Sequence, residues 1–264
     1  MDTDSATDSA ADAVRGVADH PVVERGARLG YAASGVVHLL IAWLGVQLLT
    51  GTGSANADQS GALTLLAGSA GGTALLVAMI AGFALLSLWH ATEALLRKQT
   101  GTRLKAAGRF LLYAALAWSA AAFLRGAGTS SEQQSVDVTA RLMEQPWGRA
   151  LVALVGLAVV GGGAYHVVTG WRRGFLKDLR EDPGTWAVRA GRFGYIAKGI
   201  ALALVGVLFL TAAVTQRASE ATGLDGALHR LLQLPYGSIL LAVVAAGFAA
   251  FGAYCFARAR YAKV

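Results

Sequence analysis

Residues 192–199 read Arg192-Phe193-Gly194-Tyr195-Ile196-Ala197-Lys198-Gly199, and residues 28–35 read Arg28-Leu29-Gly30-Tyr31-Ala32-Ala33-Ser34-Gly35. Arg, Gly, Tyr, Ala and Gly recur at five of the eight positions, and each copy opens a long apolar run. A weaker copy, Arg109-Phe110-Leu111-Leu112-Tyr113, opens another, with Leu111 and Leu112 where Gly and Tyr are expected. A start that recurs before successive apolar runs marks a tandem repeat, and the repeat sets the architecture of the whole chain.

Six apolar segments follow from this reading, at about 28–50, 72–96, 108–125, 148–171, 192–215 and 237–259. Most approach the ~20 residues that a helix needs to cross the hydrocarbon core. Backbone groups in lipid must satisfy one another, so such segments are helices, and no alternating ten-residue pattern supports a barrel. The third segment is the shortest and is expected to tilt less or to extend past its apparent ends. Of the 264 residues, 55% are hydrophobic and 15% charged, with a mean hydropathy of +0.50. A soluble domain carries roughly 25% charged residues.

The basic residues report topology. Seventeen of the 23 Lys and Arg fall on the side holding both termini and five on the other, while Lys198 lies one turn inside a span. The positive-inside rule then places both termini in the cytoplasm. The net charge of +7 therefore reads as topology control. A nucleic-acid partner is excluded because the basic loops are short and pressed against lipid. A single cysteine, Cys255, excludes an internal disulfide.

Residues 1–26, with Asp2, Asp4, Asp8, Asp12 and Asp19, read as a disordered acidic cytoplasmic tail. The repeats occupy 27–98, 107–173 and 190–261, each as helix, outer loop, helix. Ser60-Gly61-Ala62-Leu63 in the first outer loop matches Asp225-Gly226-Ala227-Leu228 in the third, and Pro146-Trp147-Gly148 matches Pro235-Tyr236-Gly237. Apolar residues at helical spacing before those prolines predict short amphipathic helices on the outer surface. The first repeat has Gly71 where the others have an aromatic, which leaves its surface helix less defined. Two spans per unit give parallel repeats, and three hairpins around a pseudo-threefold axis are the expected packing. Abundant Gly and Ala in the spans suit close helix contact in lipid.

The Arg-aromatic-Gly-Tyr starts, the Gly-Ala-Leu and Pro-aromatic-Gly loops, and their threefold recurrence resemble the bacterial membrane family catalogued as domain of unknown function 1206. The resemblance spans about residues 26–261. It implies a bacterial inner membrane protein of six spans and carries over no catalytic residue, activity or cofactor.

Polar side chains inside a bilayer are costly and are functional candidates by default. Superposing the repeats on Gly72, Gly148 and Gly237 puts His90, His166 and Cys255 at one depth, and His38 lies at similar depth in the first span. Two imidazoles and a thiolate facing the axis would suit zinc or copper, and His38 could complete the set or bind haem. The competing reading makes each His a partner of a neighbouring carbonyl and Cys255 an apolar filler. Glu93 lies one turn from His90 and could relay a proton with it. Lys198 reads as a snorkelling side chain or a ligand-binding cation. Arg28, Arg109 and Arg192 are expected to anchor helices at headgroups, with Tyr31, Tyr195, Trp147 and Tyr236 in the interfacial belts.

No nucleophile elbow, phosphate loop or dinucleotide fingerprint occurs. The expectation is a non-enzymatic multi-pass membrane protein, of no implied cofactor, acting as a scaffold or binding membrane lipid, with a homo-oligomer or another membrane protein as partner. The alternatives are a small-solute or ion carrier on the repeat axis and a metal- or haem-binding redox protein.

Overall fold

The computed structural model describes residues 21–53, 55–69, 71–96, 100–180 and 182–263. Most of the acidic tail lies outside the described residues. Six helices are long and apolar enough to cross a membrane. They are α1 (Pro21–Thr50), α3 (Gly72–Leu96), α4 (Thr100–Leu124), α6 (Gly148–Trp171), α7 (Thr185–Thr215) and α9 (Gly237–Tyr261). A short helix joins the two spans of each repeat: α2 (Gln59–Ala67), α5 (Ser131–Met143) and α8 (Gly223–Leu232). The protein is thus an all-α membrane protein of three two-span repeats, and the first repeat has its connecting helix despite Gly71, with Ala62, Leu63 and Leu66 buried in the core instead of lying on a surface.

The spans run longer than their apolar stretches. α4 begins at Thr100 and carries Arg103 and Lys105 within its first turns, and α7 begins at Thr185, ahead of Arg189 and Arg192. Long basic stems can lie along apolar surface while their heads reach water, so a charge does not end a membrane helix near its boundary. Pro146, Pro183 and Pro235 sit in the turns just before α6, α7 and α9, where a missing N–H is harmless.

The same glycine makes the same joint in every repeat. Gly72, Gly148 and Gly237 open the second span of each unit, directly after the short connecting helix. A Cβ at these positions would lie 1.6 Å from the Leu66 carbonyl oxygen, 1.5 Å from that of Leu142 and 2.4 Å from that of Leu231. Only a residue without a side chain allows the chain to fold back so tightly. The preceding residues, Gly71 and Tyr236, both hold positive φ, at 80° and 61°.

Helix packing follows chain order. α1 packs on α3, α3 on α4, α6 on α7, α7 on α9, and α9 back on α1. Backbones touch at shared glycines, with Gly35 facing Gly252 between α1 and α9, and Gly199 facing Gly163 between α7 and α6. Gly35 and Gly199 are the last residues of the two repeated octapeptides. The second repeat differs: α4 and α6 make no extended contact with each other among the described residues. Only 6% of the apolar window of α4 is buried, against 50% for α9. The resulting arrangement is an arc of six spans, with a gap between α4 and α6.

At the end that carries both described termini, the 3-10 helix Gly174–Asp178 leads to a short pairing with the C-terminus. Arg180 N–H donates to the Tyr261 carbonyl (2.7 Å) and Lys263 N–H to that of Asp178 (2.9 Å). This end is called the basic end below, and the end carrying α2, α5 and α8 the hairpin end. The hairpin end is tied across repeats: Ala57 N–H donates to Asp225 Oδ1 (2.6 Å), and Ser131 N–H to Ser60 Oγ (3.1 Å).

Candidate functional site

The gap between α4 and α6 leads into a cavity of about 930 Å³. α4 forms one wall, α6 and α7 the other, and α1 and α9 the back. That volume lies in the range of small-ligand sites. Helical periodicity decides which side chains face it. α1 presents Tyr31, Ser34 and His38, α7 presents Tyr195 and Lys198, and α9 presents Phe251, Cys255 and Arg258, all three to four residues apart.

The lining is graded along the membrane normal. Lys105, Arg109, Arg172, Arg173, Lys177 and Arg258 collect at the basic end. Tyr31, Tyr113 and Tyr195 follow, one from each repeat. Next come Lys198 and His38, and beyond them Val37, Ile41, Leu116, Val205 and Phe248 form an apolar stretch. Asp58 and Ser131 line the hairpin end. The lining carboxylates are therefore few, Asp178 near the basic end and Asp58 at the other.

Arg258 is the focus of the phenol layer. Its guanidinium stacks over the Tyr31 ring at 4.4 Å, and the Tyr195, Tyr113 and Tyr254 phenols lie within electrostatic reach. Its Nη2 lies 3.5 Å from Asp178 Oδ2, too long for a close hydrogen bond, and its Nε is buried without a partner. Lys198 Nζ donates to His38 Nε2 at 3.0 Å, while His38 Nδ1, 2.7 Å from the Ser34 carbonyl, donates there. That pairing fixes a neutral ring with its proton on Nδ1. Lys198 also sits 4.3 Å over the Phe251 ring, a cation–π contact.

Equal depth does not bring His90, His166 and Cys255 together. Among the described residues no group of three or more His, Cys, Asp or Glu is placed to hold a metal. The His90 ring stacks instead on Tyr113 (5.4 Å), and the His166 ring on Tyr195 (5.7 Å). Each His therefore faces the first span of the following repeat. His166 Nδ1 donates to the Gly162 carbonyl (2.8 Å), and the ring lines the cavity. His90 is buried, with Nδ1 at 2.9 Å from Glu93 Oε2. Neither His90 nor Glu93 lines the cavity. Cys255 is buried beside Ser34, at the cavity wall.

Tyr31 and Tyr195 are buried within the bundle. Trp147 and Tyr236 stand exposed near the joints of the second and third repeats. Arg28 donates to the Arg260 carbonyl, Arg192 stacks over the Trp171 ring at 5.0 Å, and Arg109 turns into the cavity mouth. Sequence reasoning missed Tyr113 and Arg258. Tyr113 was findable, as the Tyr of the weak third copy displaced by one residue.

At the hairpin end Asp58 caps α2, its Oδ1 accepting from Gly61 N–H (3.0 Å) and Ser60 Oγ (2.6 Å). Glu132, on α5, lies near Asp225 and Asp58. Burial first, then the Asp225 charge and more weakly that of Asp58, push its carboxyl above the usual range, while His229 pulls it back down.

A family model described as Domain of Unknown Function (DUF1206) matches residues 29–97, 104–173 and 193–262. A Bacillus subtilis (strain 168) protein described as "Uncharacterized protein YxxB" is 29% identical over 260 residues, covering 91% of this chain and 92% of that one. No solved structure matches.

Proposed function

The chain belongs to the family described as Domain of Unknown Function 1206, a description that names no activity, and we propose from the cleft that it binds a lipid of the surrounding bilayer. The single observation behind this reading is the gap between α4 and α6. It leaves a cavity whose entrance is flanked by the exposed side chains Leu112, Tyr165 and Val168. Lipid-facing side chains at a cavity mouth let an acyl chain enter without crossing water. The apolar stretch from Leu116 to Phe248 would receive the chain, and the polar layer would receive the headgroup.

The distribution of Lys and Arg supports a plasma-membrane orientation with both ends in the cytoplasm. The basic end of the cleft then faces the inner leaflet, and the lipid enters from there. Purification of the full chain in mild detergent, followed by solvent extraction and mass spectrometry, tests the reading. Co-purification of about one lipid per chain is expected, falling severalfold in a Val205→Trp variant that fills the apolar stretch. Lipid retention equal to that of an unrelated six-span protein, and unchanged by V205W, would overturn it.

A second reading, a small-solute carrier, is favoured by the reach of the lining from Arg172 to Asp58 and Ser131. It predicts exchange of a labelled solute across proteoliposome membranes. Loss of that exchange in Lys198→Met would support it, and no exchange of any solute above empty vesicles would count against it.

A further inference from the structure

We infer that the headgroup taken by this cleft is anionic, a phosphate diester without a cation of its own, held between Arg258 and Lys198; the inference rests on the lipid-binding reading above. Four observations carry it. First, the basic end of the lining holds six cationic side chains, and Asp178 is the one carboxylate there among the described residues. Second, Arg258 retains unused donor capacity: its Nε is buried without a partner and its Nη2 stands 3.5 Å from Asp178. A guanidinium in that state presents N–H donors to a tetrahedral anion.

Third, Lys198 is a cation within a membrane span whose contacts are a neutral imidazole nitrogen at 3.0 Å and the face of Phe251. Both orient the ammonium and neither neutralises it. An intramembrane cation without a counter-ion is costly, and an anionic ligand removes that cost. Fourth, Tyr31, Tyr113 and Tyr195 bring one phenol from each repeat to the layer between the two cations. Phenol O–H groups donate to phosphate oxygens without adding charge.

A zwitterionic headgroup fits less well. Its ammonium group would enter among Arg109, Arg172 and Arg173, with Asp178 alone to receive it. A free soluble phosphate is not the ligand proposed, because the apolar stretch beyond Lys198 would then be left unfilled.

The test uses the full chain, delipidated in detergent, with three probes read by native mass spectrometry. The probes are phosphatidylglycerol, phosphatidylcholine with the same acyl chains, and the water-soluble head glycerophosphoglycerol. Retention of phosphatidylglycerol is expected about tenfold above phosphatidylcholine, a 1.4 kcal/mol preference, with no retention of the soluble head. Arg258→Gln and Lys198→Gln should each erase that preference while phosphatidylcholine retention stays unchanged. Arg141→Gln, on α5 outside the cleft, should leave the preference intact. If Arg258→Gln fails to fold, as monodispersity would reveal, Lys198→Gln alone decides. Equal retention of the two lipids overturns the anionic headgroup and leaves the lipid-binding reading standing. Retention of neither lipid overturns both. Binding of glycerophosphoglycerol as tight as that of the lipid overturns the lipid source.

Discussion

The first and third repeats are closed hairpins, and the second is open. α1 packs on α3 and α7 on α9, whereas α4 and α6 part to admit the cleft. All three share the glycine joint after the short connecting helix, at Gly72, Gly148 and Gly237. The difference therefore arises within the membrane. The closed repeats keep their octapeptide glycines at contacts, Gly30 against Gly82 and Gly194 against Phe251. The open repeat carries Leu111, which is exposed, at the matching position. A Cβ added at Gly101 or Gly108 on α4 would meet nothing within 4 Å. Without small residues facing a neighbour, a lipid-embedded helix has little to hold it close, because lipid is as apolar as another helix. One unit of a repeat protein can thus be opened into a site by losing its packing glycines.

Substitutions that treat the repeats differently test this contrast, the largest effect first. Gly199→Leu on α7 would drive its Cβ to 2.6 Å from the Gly163 carbonyl oxygen. A loss of about 3 kcal/mol is expected in reversible detergent denaturation. Gly108→Leu on α4 should cost nothing measurable in the same assay. An equal loss at both sites would remove the distinction between closed and open units.

Truncating a buried residue comes next. Leu241 on α9 is 0% exposed and Leu111 on α4 is 64% exposed. Leu241→Ala should destabilise by about 2–4 kcal/mol, and Leu111→Ala by no more than about 0.5 kcal/mol. Similar losses would mean that α4 is packed against something the cleft account omits.

The aromatic stacks give a smaller effect that sharpens the equivalence of the repeats. Tyr113→Ala removes the stack on His90 and should cost about 1 kcal/mol beyond the lost area, by a double-mutant cycle with His90→Ala. The same cycle for Tyr195 and His166 should agree within about 0.5 kcal/mol. Coupling in one pair alone would break the equivalence of Tyr113 with Tyr195.

Glu132 carries the smallest effect, on pH dependence. Its carboxyl is raised in the fold, so the folded state binds more protons than the unfolded state as pH rises through the carboxylate range. Stability falls across that window. Glu132→Gln should raise the melting temperature at pH 7 and leave it unchanged at pH 4. A gain at pH 4 as large as that at pH 7 would place the cause elsewhere.

The repeat and its spans were legible because Arg28 and Arg192 precede the same Gly, Tyr, Ala and Gly, and because uncharged runs of membrane length are rare in soluble chains. The start of α4 at Thr100 was obscured by Arg103 and Lys105, whose stems a boundary helix tolerates. The place of Tyr31 and Tyr195 near the start of each repeated span was legible, and their burial was not. What places them is the backbone approach at Gly35 and Gly199, one turn on, which draws the neighbouring span over them. Depth along a helix was also legible, and rotation about it was not. His90, His166 and Cys255 share a depth, yet the two imidazoles turn toward Tyr113 and Tyr195. A lipid-embedded span is apolar on every face, so its sequence holds little phase information to orient a lone polar residue.

The contrast between closed and open repeats meets its most direct test in a photo-crosslinking measurement in native membranes. A benzophenone side chain replaces Val205, which lines the cleft, or Leu241, which is sealed in the core. The account predicts a lipid adduct at Val205 and only protein adducts at Leu241. Adducts at Val205 confined to peptides of α4 or α6 would show that the second repeat is closed in the bilayer and would contradict it.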